Sequence, residues 1–273
     1  MKHTIIKAVW MAGLIVLSHI SALQAGVAVV GPLTYENNVQ PGAMYQGSIL
    51  LKNDADEPFE AKIYQTDYLF FADGTSDYGE PGKNKRSNAS WITFSPKRVV
   101  IPAHDTATVN YIVRVPNDRP LTGTYWSMLM VEGVGRGSIE SSMPDKDRPR
   151  LGIEAVLRYG IQIVTEIGDT GSSMLSFKDP RFFEEQGEMF LQVDIENSGE
   201  KWLRPNFMAE LYHAEGALVK KFEGDKMRVY PGTSVRHKIR LGTLAGGKYK
   251  VLVVADCGGS TVFGGVYVFT AKK

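Results

Sequence analysis

The longest regular alternation of apolar and polar positions lies in residues 151–166, LGIEAVLRYGIQIVTE. Every second position in this stretch is apolar, namely Leu151, Ile153, Ala155, Leu157, Tyr159, Ile161 and Ile163. A period of two over this length predicts a long β-strand with one apolar face and one mostly polar face. The preceding residues 133–149 are polar and rich in Gly, Ser and Pro, which predicts a disordered loop.

The same alternation recurs along the chain, without an amphipathic helical stretch of ordinary length. Turn signals such as Gln40-Pro41-Gly42 separate the apolar runs, and the polar residues 76–88 predict a mobile loop. About seven short strands in each half predict an all-β protein of two tandem immunoglobulin-like sandwiches, residues 27–166 and 172–271. The strands are predicted at residues 43–53, 59–71, 90–95, 98–101, 107–115, 122–131 and 151–166, then at 174–178, 189–197, 206–212, 218–223, 227–230, 235–241, 248–255 and 265–270.

Residues 1–25 have the order of a secretory signal peptide. Lys2 and Lys7 precede a short apolar core, and small residues lead to a cleavage site after Ala25, with Gly26-Val27-Ala28 as a nearby alternative. The apolar core is too short for a comfortable membrane span, and no cysteine follows it that could carry a lipid. We therefore expect an exported protein, periplasmic or secreted, without a membrane anchor in the mature chain.

The net charge and the cysteine content further restrict the class of protein. The full sequence has 31 basic and 30 acidic residues. Removal of residues 1–25 takes away Lys2 and Lys7 and no acidic residue, so the mature chain is almost neutral. A neutral chain without a basic stripe gives no support for nucleic-acid binding. Cys257 is the only cysteine, so no internal disulfide can form, and a half-buried free thiol of open role is expected.

Motifs that would indicate an enzyme are missing from the sequence. His104, His213 and His237 lack the spacing of metal ligands, and no Gly-x-Ser-x-Gly or phosphate-binding glycine loop occurs. Residues 168–171, Gly-Asp-Thr-Gly, contain the Asp-Thr-Gly sequence of aspartic proteases. The motif occurs only once in this sequence and lies in the expected linker, so we interpret it as a chance match. We expect no catalytic, cofactor or metal site, and hence no enzyme.

Three tryptophans raise the question of a sugar-stacking surface. Trp91 and Trp126 lie in alternating strands, where a place in the core is expected. Trp202 follows Glu200-Lys201 beside a turn and is the best candidate for an exposed aromatic side chain.

Two stretches, NDADEPFEAKIYQTDY and SWITFSPKRVVIPAHDTATVNYIVRVPNDRP, carry a family pattern over residues 27–166. They resemble the first domain of the PapD-like periplasmic pilus chaperones. Residues 116–119, Pro-Asn-Asp-Arg, are similar to that family's Pro-x-Asp-Arg turn, and LRYGIQIV is similar to its strand before the interdomain linker. More weakly, residues 255–259, ADCGG, are similar to an Asp-x-Gly-Gly turn of its second domain.

The resemblance implies a role for the long alternating strand. In the family this strand follows a flexible loop and pairs edge-on with an unfinished subunit, whose groove its apolar side chains fill. It implies another exported protein as the partner, bound by strand addition. The implied partner-binding residues are Ile153, Ala155, Leu157, Tyr159 and Gln162.

The chain departs from the family where the family binds a terminal carboxylate. Gln162 occupies the position of the family's lysine, and the first strand, GPLTYEN, has no arginine. A neutral amide cannot make the charge-assisted bond, so we expect this anchor to be absent. Pro120 replaces the glutamate that the family uses between its domains.

Two alternatives remain open. The long strand also fits a covered position in which its apolar face builds the core. The order of turn, Pro-Gly, strand, Asn, acidic turn and Pro is similar to the WxL-interacting surface proteins, which continue into a membrane helix that we do not expect here. The expected function is a chaperone-like or accessory factor for assembly of a surface structure such as a pilus; the alternative is a structural surface or wall-binding protein.

Overall fold

The structure is a computed structural model that describes residues 26–135, 140–143 and 156–272. Within these residues it consists of 18 strands and one turn of 3-10 helix, Ala89–Trp91. The first eleven strands are β1 Ala28–Val30, β2 Thr34–Val39, β3 Met44–Lys52, β4 Phe59–Thr66, β5 Leu69–Phe70, β6 Ser76–Asp77, β7 Ile92–Ser95, β8 Arg98–Ile101, β9 Thr106–Arg114, β10 Gly123–Val134 and β11 Arg158–Ile167.

The first sandwich packs two sheets face to face. One sheet has the order β1-β3-β9-β7 and the other β2-β11-β10-β4-β8, and β5 and β6 form a small hairpin outside them. Among the described residues of this sandwich, all ladders are antiparallel except the one between β2 and β11. The inward residues alternate along each strand as a period of two requires, so Ile49, Val109, Leu129, Ile161 and Ile163 form a core without solvent contact.

The second sandwich is built from seven strands: β12 Leu175–Glu185, β13 Glu188–Asn197, β14 Asn206–His213, β15 Leu218–Lys226, β16 Ser234–Gly242, β17 Gly247–Asp256 and β18 Val262–Ala271. Its sheets have the orders β12-β13-β16 and β15-β14-β17-β18. Leu191, Leu211, Val251 and Phe207 are buried between them. The predicted all-β fold of two immunoglobulin-like sandwiches is confirmed.

Several strand predictions were wrong in detail. β2, TYENNV, is absent from the strands predicted by alternation because it is polar; only the family resemblance placed a first strand there, at GPLTYEN, and β2 forms a parallel ladder with β11. β12 continues beyond Lys178 to Glu185, past an irregularity between Lys178 and Arg181 that contains Pro180. Residues 227–230 form no strand; only Val229 makes an isolated bridge, to Leu203.

The two loops expected to be mobile are held by hydrogen bonds where the structure describes them. The Asp67 carboxylate accepts hydrogen bonds from the Gly82 and Asn84 amides, at 3.1 and 2.7 Å, and from the Ser87 hydroxyl. In the other loop, residues 133 and 134 belong to β10 and residues 140–143 pack on β4. Residues 136–139 and 144–155 lie outside the described residues.

A buried asparagine joins the segment before the 3-10 turn to the central strands of the first sandwich. Asn88 is fully buried, and its amide nitrogen donates to the Ile163 carbonyl at 3.0 Å and the Thr165 hydroxyl at 2.9 Å. Its amide oxygen accepts from the Ser127 hydroxyl at 2.7 Å. Asn88 therefore connects β10, β11 and the chain between β6 and β7.

We expect Asn88→Ala to lower the free energy of unfolding by roughly 1–3 kcal/mol, because it removes the acceptor of the buried Ser127 hydroxyl and the amide that bonds to Ile163 and Thr165. Urea denaturation measures the change. Asn110→Ala, at an exposed position of β9, is the matched control and should stay within about 0.5 kcal/mol of wild type. Equal losses from the two substitutions would contradict the role assigned to Asn88.

Candidate partner-binding strand

β11 has two neighbours of unequal length. β10 pairs with it from Arg158 to Ile167, but the parallel ladder to β2 begins only at Gln162, opposite Thr34. The first bond on that side is donated by the Gln162 amide to the Leu33 carbonyl at 2.9 Å. Within the described residues, Arg158 to Ile161 are therefore paired on one side only. This leaves a short open edge of backbone donors and acceptors.

The predicted site residues fall in three environments. Ile153 and Ala155 lie outside the described residues. Leu157 is 47% exposed at the open end of the strand, whereas Tyr159 is partly buried and packs against the core of the first sandwich. Gln162 lies on the opposite face of the strand. The assignment of these five residues to a partner stays a prediction.

The apolar face of β11 packs on the core, and exposed apolar side chains lie just before the strand. Ile161 and Ile163, on the same face as Leu157, are fully buried. Just before the strand, Val156 is 50% exposed. Core building, the alternative reading, is therefore observed at Ile161 and Ile163, while Val156 and Leu157, which precede β11, remain accessible.

A charged cluster lies on the other face of the open end. The largely buried Glu132 of β10 pairs with the Arg158 Nε at 2.8 Å and the Lys62 Nζ at 3.3 Å, and it accepts a bond from the Tyr64 hydroxyl at 2.7 Å. Burial alone would raise the pKa of Glu132, but the bonds from Tyr64 and Lys62 hold it below its ordinary value. These contacts direct the Arg158 side chain toward β10 and away from the open edge.

A second carboxylate attaches the segment between β10 and β11 to the sheet. Glu60 of β4 is fully buried and accepts bonds from Arg98 Nη1 at 2.7 Å, from the Ser141 hydroxyl at 2.9 Å, and from the Ser142 amide and hydroxyl at 2.8 and 2.7 Å. Burial would raise its pKa, but these hydrogen bonds outweigh burial and lower the pKa to about 2. Glu60 therefore fixes where residues 140–143 run.

The part of β11 from Gln162 onward contacts the second sandwich. The Gln162 amide oxygen accepts a hydrogen bond from the Tyr230 hydroxyl, and the Tyr230 ring stacks on Trp126 with 4.7 Å between ring centroids. Arg228 donates to the Thr34 hydroxyl at 2.9 Å and pairs with Glu36. Gln162, Arg228 and Tyr230 border an open cavity of about 500 Å³ between β11, the β5–β6 hairpin and the second sandwich.

Of the three predictions about tryptophans, the one for Trp202 was wrong and those for Trp91 and Trp126 are confirmed. Trp202 was expected to be exposed, but it is half-buried against Tyr230, its indole nitrogen donates to Glu166, and the Arg228 guanidinium lies 4.9 Å from its ring centroid. Trp91 and Trp126 are buried, as expected.

A glutamate of the second sandwich, Glu200, joins the two sandwiches. The position of the family's interdomain glutamate holds Pro120 in this chain. Glu200 pairs with Arg86 at 2.7 Å, accepts from the Thr122 hydroxyl at 2.9 Å and accepts from the Ser172 amide at 3.2 Å. Gly123 has a φ of +68°, and a Cβ there would lie 2.2 Å from the Glu200 carbonyl oxygen. The backbones thus approach closely enough to require glycine.

Sequence reasoning missed Glu200, Arg228 and Tyr230. Their partners lie far away along the chain, 192 residues for the pair of Arg228 and Glu36 and 114 for that of Glu200 and Arg86. Local periodicity contains no information about contacts of that separation. Tyr230 lies in residues 227–230, which were predicted as a strand and form none. Its aromatic side chain is the one local feature that could have drawn attention to it.

Three further observations concern metal ligands, apolar helices and the single cysteine. Across residues 26–135, 140–143 and 156–272, no three His, Cys, Asp or Glu side chains are placed to hold a metal ion. In the same residues, no helix is long and apolar enough to cross a membrane. Cys257 is half-buried as expected, and burial raises the pKa of its thiol to about 11. The thiol is therefore protonated at neutral pH.

The Glu60 contacts predict a pH dependence of stability. Because the folded pKa of about 2 lies below the ordinary 4.5, the contribution of the carboxylate is complete above pH 4.5 and is lost as the pH falls toward 2. Glu60→Gln should therefore melt below wild type near neutral pH, and the difference should shrink as the pH falls from 4.5 toward 2. Glu80→Gln, at an exposed position, is the control. A difference that stays constant over this range would contradict the assignment.

Comparison with known proteins finds relatives at the level of fold. No family model matches the chain, and no curated protein matches it in sequence. The solved complex of a chaperone with the tip adhesin of CFA/I fimbriae is 12% identical, with 89% of this chain and 98% of that chain covered and a TM-score of 0.46. The class 5 fimbriae chaperone CfaA is 11% identical with the same coverage and a TM-score of 0.45.

A third structure, the E. coli chaperone DraB, is 14% identical, with 90% of this chain and 95% of that chain covered and a TM-score of 0.40. The chain is similar in structure, at low sequence identity, to PapD-like fimbrial chaperones, the family that its motifs also resemble.

Proposed function

We propose that this protein binds an extended segment of another exported protein at the open edge of β11, as a chaperone-like or accessory factor in the assembly of a surface structure. The observation that carries the proposal is the unequal cover of β11, whose neighbour β2 pairs only from Gln162 onward. The open edge and the exposed Leu157 lie at the same end of the strand. A strand added there meets free backbone groups and an apolar side chain together.

Elementary energetics support strand addition at this edge. Each backbone hydrogen bond to an added strand contributes about 0.5–1.5 kcal/mol net. Burial of the exposed part of Leu157 adds a share of the roughly 1.5–3 kcal/mol that a fully buried leucine gains. The four residues from Arg158 to Ile161 alone would give weak binding. We therefore propose that Ile153 and Ala155 extend the same strand and the same apolar face toward the partner.

The proposed place of action is the periplasm or the extracellular space, on the basis of the signal-peptide pattern of residues 1–25. The partner is proposed to be a protein that lacks a strand of its own, because an edge with one apolar face is complementary to an apolar groove. We further propose that the protein has no catalytic activity of its own.

We expect Leu157→Asp to abolish capture of the partner while leaving the protein folded. A charge at a half-exposed position costs little in the free protein, but it opposes burial in an apolar groove. Affinity capture from the envelope fraction of the exporting cell, followed by identification of the bound protein, measures the effect. Leu218→Asp is the matched control, because Leu218 of β15 is 49% exposed and belongs to the second sandwich.

Three outcomes decide the proposal. Loss of capture by Leu157→Asp but not by Leu218→Asp supports it, provided that thermal melting shows both variants folded. A folded Leu157→Asp protein that still captures its partner contradicts it. Sedimentation of the wild-type protein with purified peptidoglycan, without capture of any protein, would favour the wall-binding alternative. Ile161→Asp, at a fully buried position of the same face, should unfold the protein.

Binding should depend little on a free carboxy terminus of the partner. The Gln162 amide is neutral and already bonded to Tyr230, and the charge of the nearby Arg228 is balanced by Glu36. We expect a partner segment with an amidated carboxy terminus to bind almost as tightly as the free acid, measured by calorimetric titration. A loss of about tenfold or more, equal to about 1.4 kcal/mol, would contradict this and indicate that Arg228 exchanges Glu36 for the partner's carboxylate.

A further inference from the structure

The edge strands of the second sandwich differ in how they are protected against pairing with other chains. β15 has the sequence LVKKFEGDK, with lysines and acids along its length, and its ladder to β14 has two register shifts. β12 contains Pro180 and a register shift, and it carries charged residues at both ends of that irregularity. Charges, proline and bulges are the usual devices that prevent edge-to-edge association.

β18 has none of these devices. Its ten residues, VFGGVYVFTA, include no charge and no proline, and its register with β17 is continuous from Val262 to Ala271. Within the described residues no other strand forms a ladder with it. β12 packs against the inward side chains of β18, where Phe182 stacks on Phe269 with 4.1 Å between centroids, but in the described residues it forms no ladder with β18.

The outward side chains of this strand are apolar as well. Val266 is 57% and Val268 is 69% exposed, and Val262 is also exposed. Across the ladder, Val266 lies opposite the partly buried Leu252 of β17, so the apolar surface extends over two strands. An unprotected edge beside an exposed apolar surface is characteristic of an interface.

The charges around β18 indicate which chain fits the edge. Lys248 and Lys250 of β17 flank the carboxy-terminal end of β18, and Asp256 flanks its amino-terminal end. When a second copy of β18 is placed antiparallel to the first, the lysine end of each copy lies beside the aspartate end of the other. A parallel arrangement would put like charges side by side. The strand therefore complements itself in the antiparallel sense.

We infer that two copies of this protein associate through antiparallel pairing of their β18 strands, which joins two four-stranded sheets into one. The arrangement has two-fold symmetry, so each copy contributes the same surface. The valines of one strand then face those of the other, and their apolar surface is removed from water. This contact belongs to the second sandwich and does not involve the open edge of β11.

Sedimentation equilibrium of the full mature chain, from low micromolar to near-millimolar concentration, tests the inference. We expect a monomer–dimer equilibrium that Val266→Lys weakens by at least about tenfold, or about 1.4 kcal/mol. Val219→Lys on β15 is the matched control and should leave the equilibrium unchanged. Val268→Glu is a second interface variant, since its carboxylate would lie opposite Lys250 and should not disturb the monomer.

The possible outcomes separate this inference from the proposed function. A wild-type protein that remains monomeric at every concentration overturns it. A dimer that resists both β18 substitutions but dissociates with Leu157→Asp also overturns it, because the contact would then lie at β11. A dimer that only Val266→Lys and Val268→Glu weaken supports it, whether or not envelope proteins are captured through β11.

Discussion

The antiparallel ladder between β10 and β11 connects the core, the open edge and the junction with the second sandwich. One face of this strand pair contributes Leu129, Ile161 and Ile163 to the core of the first sandwich. The other face holds Glu132 with its cationic partners at one end and contacts Tyr230 at the other. Since β10 is paired on both sides while β11 is only half covered, β10 supports the free part of β11 without help from β2. Any segment that adds to β11 therefore meets an edge that is already in position.

Three carboxylates organise the ends of this ladder, and each has several donors. Glu60 holds residues 140–143, Glu132 holds Arg158, and Glu200 links β10 to the second sandwich through Arg86 and Thr122. Glu60 and Glu132 are buried, and removal of one partner from a buried carboxylate is strongly destabilising, so these two groups favour one arrangement over others more than they add net stability. Glu60 acts on the segment between β10 and β11, Glu132 acts near the open edge, and Glu200 acts at the junction of the sandwiches. We therefore infer that these carboxylates fix the geometry around β11.

Much of the fold could be predicted from the sequence because a half-buried strand has a period of two that single residues reveal. The alternation through Ile161 and Ile163 located β11, and turn residues separated the other strands. β2 could not be found in this way, because TYENNV owes its place to a backbone ladder with β11 and has little apolar character. The half-cover of β11 is a consequence of where β2 begins, and so the sequence pattern alone left both a core strand and an open edge possible.

The junction between the sandwiches was beyond prediction for a related reason. Tyr230, Arg228 and Glu200 act through contacts with residues that are remote in the chain, and nothing in their local pattern indicates a partner. Trp202 illustrates the limit, since its turn context favoured exposure while its packing on Tyr230 and its bond to Glu166 bury half of it. An aromatic residue beside a turn is exposed only if no other domain covers it.

Within the described residues, the open edges of β11 and β18 differ in the side chains beside them, so the partners proposed for them differ in kind. Beside the β11 edge lie a partly buried tyrosine, an exposed leucine and a charged cluster, so a segment added there is selected by its side chains. The β18 edge has only valines and backbone over most of its length, which gives little selectivity except toward a strand of the same kind. The two edges belong to different sandwiches and share no residue. A dimer through β18 would then carry two β11 edges, and a partner that repeats along a growing structure could engage both, with an avidity set by their separation.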